Sequence, residues 1–515
     1  MSLASLTVGR VRGRPMRRLT RLLTFAIVAL FALPSEARSA PEAGPIRQLA
    51  ENPRYLSYRG EPIVLVTAGE HYGAVLNADF DFEAYLTALA ADGMNLTRVF
   101  AGTYVEPPGA FGITRNTLAP ARGRYLSALA RSEIEGYAGG GNRFDLSRSS
   151  QPFVDRLHRF LDAAERAGVI VELTFFSSIY SEKQWALHPW NPSNNVQATP
   201  LTDFRTLHTN DAPETLIRSQ IRLVRHLVGE LNRHDNLIYE IQNEPWADNH
   251  TLGARRLDEW VDRDRFPNRI EVTTPRSIAW QRRVGAAIAD RERSLPKRHL
   301  IAQNVANFAL PVREDDLVPE VALLNFHYAE PAAVRLNRGK GRVIGFDESG
   351  FAGTEAETYL RQAWRFLMAG GGTFNHLDYS FSVGHESGDD RDNEAHGSSD
   401  PRLRKHLAVL SRFLNRLDLR NTEPQPQLVQ RADGVAASVL GNGSDELAVY
   451  AEGRFPASVT LALPTAQWTI EHWDVTAGLV RRERLSADNA PVTIDLKSDR
   501  DMAAIRLTRV GSQSD

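Results

Sequence analysis

No cysteine occurs among the 515 residues of this chain. Disulfides, thiolate nucleophiles and cysteine-ligated zinc are therefore excluded, and stability has to come from the size of the core. Charge of one sign is missing as well, since 61 lysines and arginines face 63 aspartates and glutamates. No field gathers nucleic acid or an anionic membrane surface, and a neutral or mixed substrate is the expectation. No Gly-x-Gly-x-x-Gly follows the first predicted strand and no His-Glu-x-x-His occurs, which leaves dinucleotide binding and zinc proteolysis without support. Internal repeats and extended low-complexity segments are absent. Long apolar runs are scarce, and the one at residues 22–33 follows Arg10, Arg12, Arg14, Arg17, Arg18 and Arg21 and precedes Pro34-Ser35-Glu36-Ala37. This is the pattern of a signal peptide over residues 1–37, with Met16 as an alternative start, and it implies export to the periplasm or the exterior. The run is too short to span a bilayer comfortably and no basic cluster follows it, so no stable membrane anchor is expected.

What is present is ordinary for a soluble chain large enough for two domains: 42% hydrophobic and 24% charged residues. After a segment to about Pro53 read as flexible, buried apolar runs alternate with amphipathic helices. Strands are predicted at 62–68, 94–100, 169–176, 237–241, 299–303, 321–326, 342–346 and 372–379. Helices are predicted at 79–91, 151–167, 213–231, 276–294, 354–369 and 401–417. Thr354 and Glu357 form a capping-box pattern. Eight strands with helices between them predict a (β/α)₈ TIM barrel over residues 45–420. Two insertions, 101–150 and 177–210, have little periodicity, and insertions of this kind commonly serve binding. From 427 to 511 short alternating runs at 447–451, 459–463, 468–473 and 503–507 predict a small antiparallel β-sandwich.

In such a barrel the residues at the C-terminal strand ends share one cavity. They are Glu70, His71 and Tyr72 after the first strand, Arg98 in the second, and Asn243 and Glu244 after the fourth. His327 and Tyr328 follow the sixth, Glu348 ends the seventh, and His376, Asp378 and Tyr379 lie near the eighth. Cleaving an acetal needs one protonated and one charged carboxyl, and Glu244 and Glu348 supply such a pair. Arg98 and Tyr328 are placed to keep Glu348 ionised, while the like charge of Glu348 holds a proton on Glu244. His71 shapes the floor of a sugar site or is a buried histidine satisfied by a carbonyl. Trp185 and Trp190 in the second insertion are sugar-stacking platforms or loop packing, and Trp246 closes the Asn236–Trp246 stretch as a further substrate contact. Asp389, Asp390, Asp392 and Glu394 admit calcium, but a solvated charge run accounts for them better. Asn95-Leu96-Thr97 fits a glycosylation acceptor only formally, because it falls in a predicted buried strand.

Asn243-Glu244-Pro245 closing the fourth strand, with Gly345-Phe346-Asp347-Glu348 ending the seventh, resembles the clan A glycoside hydrolases, and among them the cellulase-like family 5 group. The resemblance implies that Glu244 is the acid/base and Glu348 the nucleophile, with anomeric configuration retained. It also implies that Arg98 is the second-strand arginine, that Asn243 holds the sugar 2-hydroxyl, and that Phe326-His327-Tyr328 corresponds to the clan's His-x-Tyr element. The chain departs from family 5 after the eighth strand, where Asn375-His376-Leu377-Asp378-Tyr379 stands in place of a tryptophan platform. The expected function is hydrolysis of O-glycosidic bonds in a poly- or oligosaccharide, without metal or organic cofactor. The alternatives are a barrel that binds carbohydrate without cutting it and a transglycosylase using the same residues. Sugar, linkage, internal or terminal action and oligomeric state are not legible.

Overall fold

A computed structural model describes residues 44–248, 252–255 (backbone only) and 269–511. The expected signal peptide lies outside the described residues. Among those residues no helix is long and apolar enough to cross a membrane.

Eight strands pair in parallel as one sheet: β1 (Leu65–Gly69), β2 (Leu96–Phe100), β3 (Ile170–Ser177), β4 (Leu237–Asn243), β5 (Leu300–Asn307), β6 (Leu323–His327), β7 (Val343–Ser349) and β8 (Thr373–Leu377). Every residue of these strands is buried, which explains why they read as continuous apolar runs rather than alternating ones. The seam between β1 and β2 is closed by Asn95. Its backbone and side-chain amides donate to Val66 O (3.3 Å) and Val64 O (3.0 Å), and its Oδ1 accepts from Val66 N (2.7 Å). That use of Asn95 accounts for the formal glycosylation motif.

Helices α1 (Phe82–Ala91), α2 (Gln151–Arg166), α3 (Glu214–Leu231), α4 (Pro275–Glu292), α5 (Pro331–Asn337), α6 (Ala356–Met368) and α7 (Arg402–Leu414) surround the sheet. Helix α2 shows how the pattern works: Phe153, Leu157, Phe160, Leu161 and Ala164 form one buried stripe and Pro152 occupies the first turn. Between β5 and β6 the described chain has only a 3₁₀ turn, Glu314–Asp316. The capping box expected at Thr354 does not form. Glu355 is the N-cap of α6, without a side-chain bond.

Two expectations near the N-terminus are corrected. Of the segment expected to be flexible up to Pro53, the described residues 44–53 are ordered, and the first predicted strand is two strands. Arg47–Gln48, Leu56–Tyr58 and Glu61–Ile63 form a three-stranded antiparallel sheet. It ends before Val64, whose N–H donates to Asn415 Oδ1 at 3.0 Å. Ile46, Leu56 and Ile63 pack against Leu65, Leu96, Ile238 and Leu323 and plug the N-terminal end of the barrel.

The first insertion, expected to lack periodicity, contains a hairpin, Leu129–Glu135 with Asn142–Ser149. At the C-terminus, β9 (Val429–Gly441), β10 (Glu446–Leu461), β11 (Ala466–Asp474), β12 (Gly478–Ala487), β13 (Val492–Leu496) and β14 (Met502–Arg509) belong to one seven-stranded antiparallel sheet with Glu423–Pro424. The layers of the expected sandwich come from this single sheet. The register of β9 on β10 breaks between Asp433 and Val435, where Gly434 has φ 81° and Gly453 φ 145°. A Cβ on Gly453 would sit 2.4 Å from Gly434 O, so only glycine permits this crossing. Beyond the bend Val459, Leu461, Ile494 and Leu496 close over Leu447, Val449, Trp468 and Leu507. The opposite face docks on the barrel: Tyr450 stacks on Trp364 of α6 at 5.3 Å and Trp473 meets Phe413 of α7 edge-on at 5.4 Å.

Candidate active site

The C-terminal end of the barrel is floored by charge. Arg98 on β2 is fully buried, as are Glu172 on β3, Glu240 on β4 and Asp347 on β7. Burying an arginine is tolerable only with close anionic partners. Arg98 Nε donates to Glu240 Oε2 at 2.8 Å and lies 3.1 Å from Asp347 Oδ2, and Nη2 donates to Asn243 Oδ1 at 2.9 Å. Burial raises the Asp347 carboxyl, but Arg98 and His327 outweigh it and bring it to about 2. Burial pushes Glu240 up to about 7 despite Arg98, and Glu172 well above the usual carboxylate range. Asp347 therefore carries the charge that balances Arg98, while Glu172 holds its proton. The hydrogen bond expected from Arg98 to Glu348 does not form, since Nη1 stands 3.6 Å from Glu348 Oε2, although the guanidinium charge still favours the Glu348 carboxylate.

Above this floor Glu244 and Glu348 face each other. Glu348 accepts from Tyr72 OH at 3.0 Å on one oxygen and from Tyr328 OH at 2.5 Å on the other. Glu244 accepts from Tyr180 OH at 2.7 Å and meets His327 Nδ1 at 3.0 Å. One oxygen of each glutamate and one nitrogen of His327 lie within 4.8 Å of one another. Tyr328 OH spans the gap, 3.4 Å from Glu244 Oε1. Asn243 is fixed by Arg98, by Ser177 Oγ (3.2 Å) and by Tyr180 OH (3.0 Å).

The two carboxyls shift in directions opposite to those expected. Burial disfavours charge on His327, but Glu348, Asp347 and Glu244 around it prevail and raise it to about 10. Burial likewise raises the Glu244 carboxyl, yet hydrogen bonds from His327 and Tyr180 more than offset it and the net direction is down. Glu348 goes up, through burial and the Glu244 charge, against His327 and Arg98. His327 thus stands as an imidazolium beside a Glu244 carboxylate. As a potential metal site the group is poor, because an imidazolium is no ligand and tyrosine hydroxyls already donate to both carboxylates.

Backbone strain gathers here. Tyr72 (φ 63°), Glu244 (47°), Phe308 (59°), Tyr328 (50°) and Phe351 (55°) are non-glycine residues in the left-handed region, each just beyond the end of a barrel strand. Such conformations are costly and concentrate at functional sites. Glu244 is held in its conformation by Asn304 Oδ1 on its N–H (2.9 Å) and Ser178 Oγ on its carbonyl (2.7 Å).

The cavity has a volume of about 270 Å³, at the small end of ligand sites, which run from roughly 300 to 1,000 Å³. His71, Asn243, Glu244, Tyr328 and Glu348 line it, as expected from their positions at strand ends. Tyr104, Glu106, Phe111, Tyr180 and Glu271 also line it and were not anticipated. Tyr180 follows β3 by three residues, so extending the strand-end rule to β3 finds it, and Asn304 on β5 likewise. Glu106 sits in an irregular segment, Phe111 in the 3₁₀ turn Ala110–Gly112 and Glu271 at the end of the short strand Arg269–Glu271, all too short for a periodic signal. All lining residues come from the barrel and its loops.

Five candidate substrate contacts are corrected. His376 is fully buried, hydrogen-bonded through Nδ1 to Ser349 Oγ (2.8 Å) and packed on Tyr359. Asp378 is tied to Arg404 of α7 at 2.5 Å and to Ser380. Trp190 is fully buried, its Nε1 donating to Ser219 Oγ at 2.8 Å, and Trp185 stacks on Phe204. Trp246 is buried edge-on against His327 at 5.3 Å, where it holds the imidazole rather than a ligand. Arg98 and His327 are also sealed from the cavity and act through their partners. In the acidic loop, Asp390 is bound by Arg115 and Ser382, so it is a loop clamp rather than a calcium ligand.

No protein-family model matches the chain, and no curated protein matches it by sequence. Solved structures do match its fold. A glycoside hydrolase family 5 structure from Bacteroides vulgatus superposes with a TM-score of 0.59 at 12% identity, covering 92% of this chain and 95% of that one. A structure described as a glycoside hydrolase gives 0.59 at 13% identity over 92% and 98% of the two chains. A putative glycoside hydrolase from Bacteroides vulgatus gives 0.58 at 14% identity over 91% and 82%. This chain is similar to them in architecture, from the barrel through the C-terminal sheet.

Proposed function

We propose that the chain is a retaining glycoside hydrolase in which Glu348 is the nucleophile and Glu244 the acid/base. The observation that carries the reading is the approach of the Glu244 and Glu348 oxygens to within 4.8 Å, with His327 in the same cluster. Retaining enzymes place their carboxyls roughly 5–5.5 Å apart, too close to admit the water that inverting enzymes use across roughly 6.5–9.5 Å. Glu348 attacks the anomeric carbon as the bond to the leaving oxygen breaks, and Glu244 gives that oxygen a proton. A water then gives its proton to Glu244 and its oxygen to the anomeric carbon, which frees Glu348. The proton for the first step rests on His327, one 3.0 Å hydrogen bond from Glu244 Oε1. It passes to Glu244 and on to the leaving group, and the proton taken from water restores it. Tyr72 and Tyr328 donate to Glu348 and favour its charged form.

Carbohydrate suits the rest of the cavity, where aromatic faces (Tyr72, Phe100, Tyr104, Tyr379) alternate with hydrogen-bonding groups. The solved structures that share the fold are described as glycoside hydrolases, which supports the reading by analogy alone. Export of the chain belongs to the same proposal and rests on residues 1–37. The test is hydrolysis of para-nitrophenyl glycosides by the parent, Glu348→Ala and Glu244→Ala. Release by the parent and loss in both variants supports the assignment, with azide restoring turnover to Glu244→Ala on this good leaving group. Equal rates in all three proteins would sink it.

A further inference from the structure

The first insertion does more than border the cavity, because it is bolted to two neighbouring loops. Glu106 N–H donates to Leu118 O at 2.8 Å, so the segment between them leaves the barrel and returns as a closed loop. On the β1 side Thr117 Oγ donates to the buried Glu70 at 2.6 Å and Asn77 Nδ2 donates to Thr117 O at 3.1 Å. The contact is so close that a Cβ on Gly73 would lie 2.3 Å from the Thr117 backbone. On the β8 side Thr114 N–H donates to Glu394 O (3.0 Å) and Arg115 N–H to Asn393 Oδ1 (2.8 Å). Asn393 Nδ2 returns a bond to Arg115 O at 2.9 Å, and the Arg115 guanidinium pairs with Asp390. These bonds form a continuous wall across the β8–β1–β2 sector.

Two polar side chains of that sector face the cavity. Glu106 is buried, with Tyr104 OH at 2.8 Å and Asn116 Nδ2 at 2.5 Å fixing its carboxylate. His71 lies 3.4 Å from Glu106, yet neither of its ring nitrogens makes a hydrogen bond of good geometry among the described residues. Buried polar groups left in this state on a cavity wall are the groups a polyhydroxy ligand satisfies. Glu244 stands on β4, on the other side of the cavity. Because the acid must meet the leaving oxygen, the leaving group extends past Glu244, and the sugar that is attacked has the wall behind it.

We propose that this wall makes the cavity blind behind the attacked sugar, so that the chain removes units from the non-reducing end of its substrate, with Glu106 and His71 gripping the hydroxyls of that terminal sugar. The inference rests on the assignment of Glu244 and Glu348 given above. Its test compares para-nitrophenyl glycosides of single sugars with the same glycosides carrying a methyl ether or a second sugar on the hydroxyl opposite the anomeric carbon. The blocked compounds are expected to lose about tenfold or more in kcat/KM. Glu106→Gln is expected to raise KM for the free-ended glycoside by about tenfold, the worth of one charge-assisted hydrogen bond, with a smaller change in kcat. Arg115→Ala, which unpins the wall, should narrow the gap between free and blocked compounds. Blocked glycosides cut as fast as free ones, or faster, would overturn the inference while leaving the hydrolase assignment intact. If the unaltered chain cleaves no glycoside of either kind, the hydrolase assignment fails and this inference fails with it.

Discussion

The two ends of the barrel are made from the same eight strands under opposite rules. At the N-terminal end Leu65, Leu96, Ile170, Ile238, Leu323 and Val343 close around Ile46 and Leu56 as an apolar plug. From their middle to their C-terminal tips the same strands carry Arg98, Glu172, Glu240, Glu244, His327, Asp347 and Glu348. The first end gains from each apolar group removed from water. The second must supply every buried charge with a partner and so costs stability that the first end offsets. Five non-glycine residues with left-handed backbone stand at strand tips of the second end, Tyr72, Glu244, Phe308, Tyr328 and Phe351, against Arg59 in the turn of the plug at the first. One end holds the fold and the other spends part of that stability on a site.

Substitutions at the two ends should therefore separate activity from stability. The largest effect is expected for Glu348→Ala, a loss of about 10⁴-fold or more in kcat with the melting temperature unchanged or raised. Glu244→Ala should lose about 10²–10⁴-fold on poor leaving groups. A fall in melting temperature of several degrees in either variant would mean that these acids hold the fold as well. Next comes Arg98→Met, which strands Asp347 and should cost about 3–5 kcal/mol in urea unfolding along with activity. A neutral outcome would show that Glu240 and Asp347 absorb the loss by protonation.

At the other end, Leu323→Ala should cost about 2–5 kcal/mol and leave kcat and KM unchanged. Altered kinetics there would break the division between the ends. A further effect is in pH dependence. His327 is raised from 6.5 to about 10 in the folded chain, so its contribution to stability is complete below 6.5 and is lost as pH rises through about 10. Unfolding followed across that alkaline range should show a decline in the parent that His327→Gln lacks.

The fold was legible because strands buried on both faces read as apolar runs and helix α2 as a clear stripe. The position of Glu244 and Glu348 was legible for a related reason: a glutamate two or three residues past such a run falls at the strand tip. The same rule misled at His376 and Asp378. Both stand at a strand end, but they turn outward to Tyr359 and Arg404 instead of inward, and chain position does not encode that direction. Trp190 misled because an aromatic in an insertion packs as readily beneath a loop as against a ligand. The polar residues within the strands, Glu172, Glu240, Asn304 and Asn325, went unread because their partners are distant in sequence and meet only in the closed barrel. The opposed shifts of Glu244 and His327 share this origin. They depend on the 3.0 Å contact between β4 and β6, which no local pattern contains.

The most direct test of the two-glutamate account is the anomeric configuration of the first product released from a para-nitrophenyl glycoside, followed by proton NMR before mutarotation. The spacing of Glu244 and Glu348 predicts that the first-formed sugar keeps the configuration of the substrate. A first product of opposite configuration would contradict it.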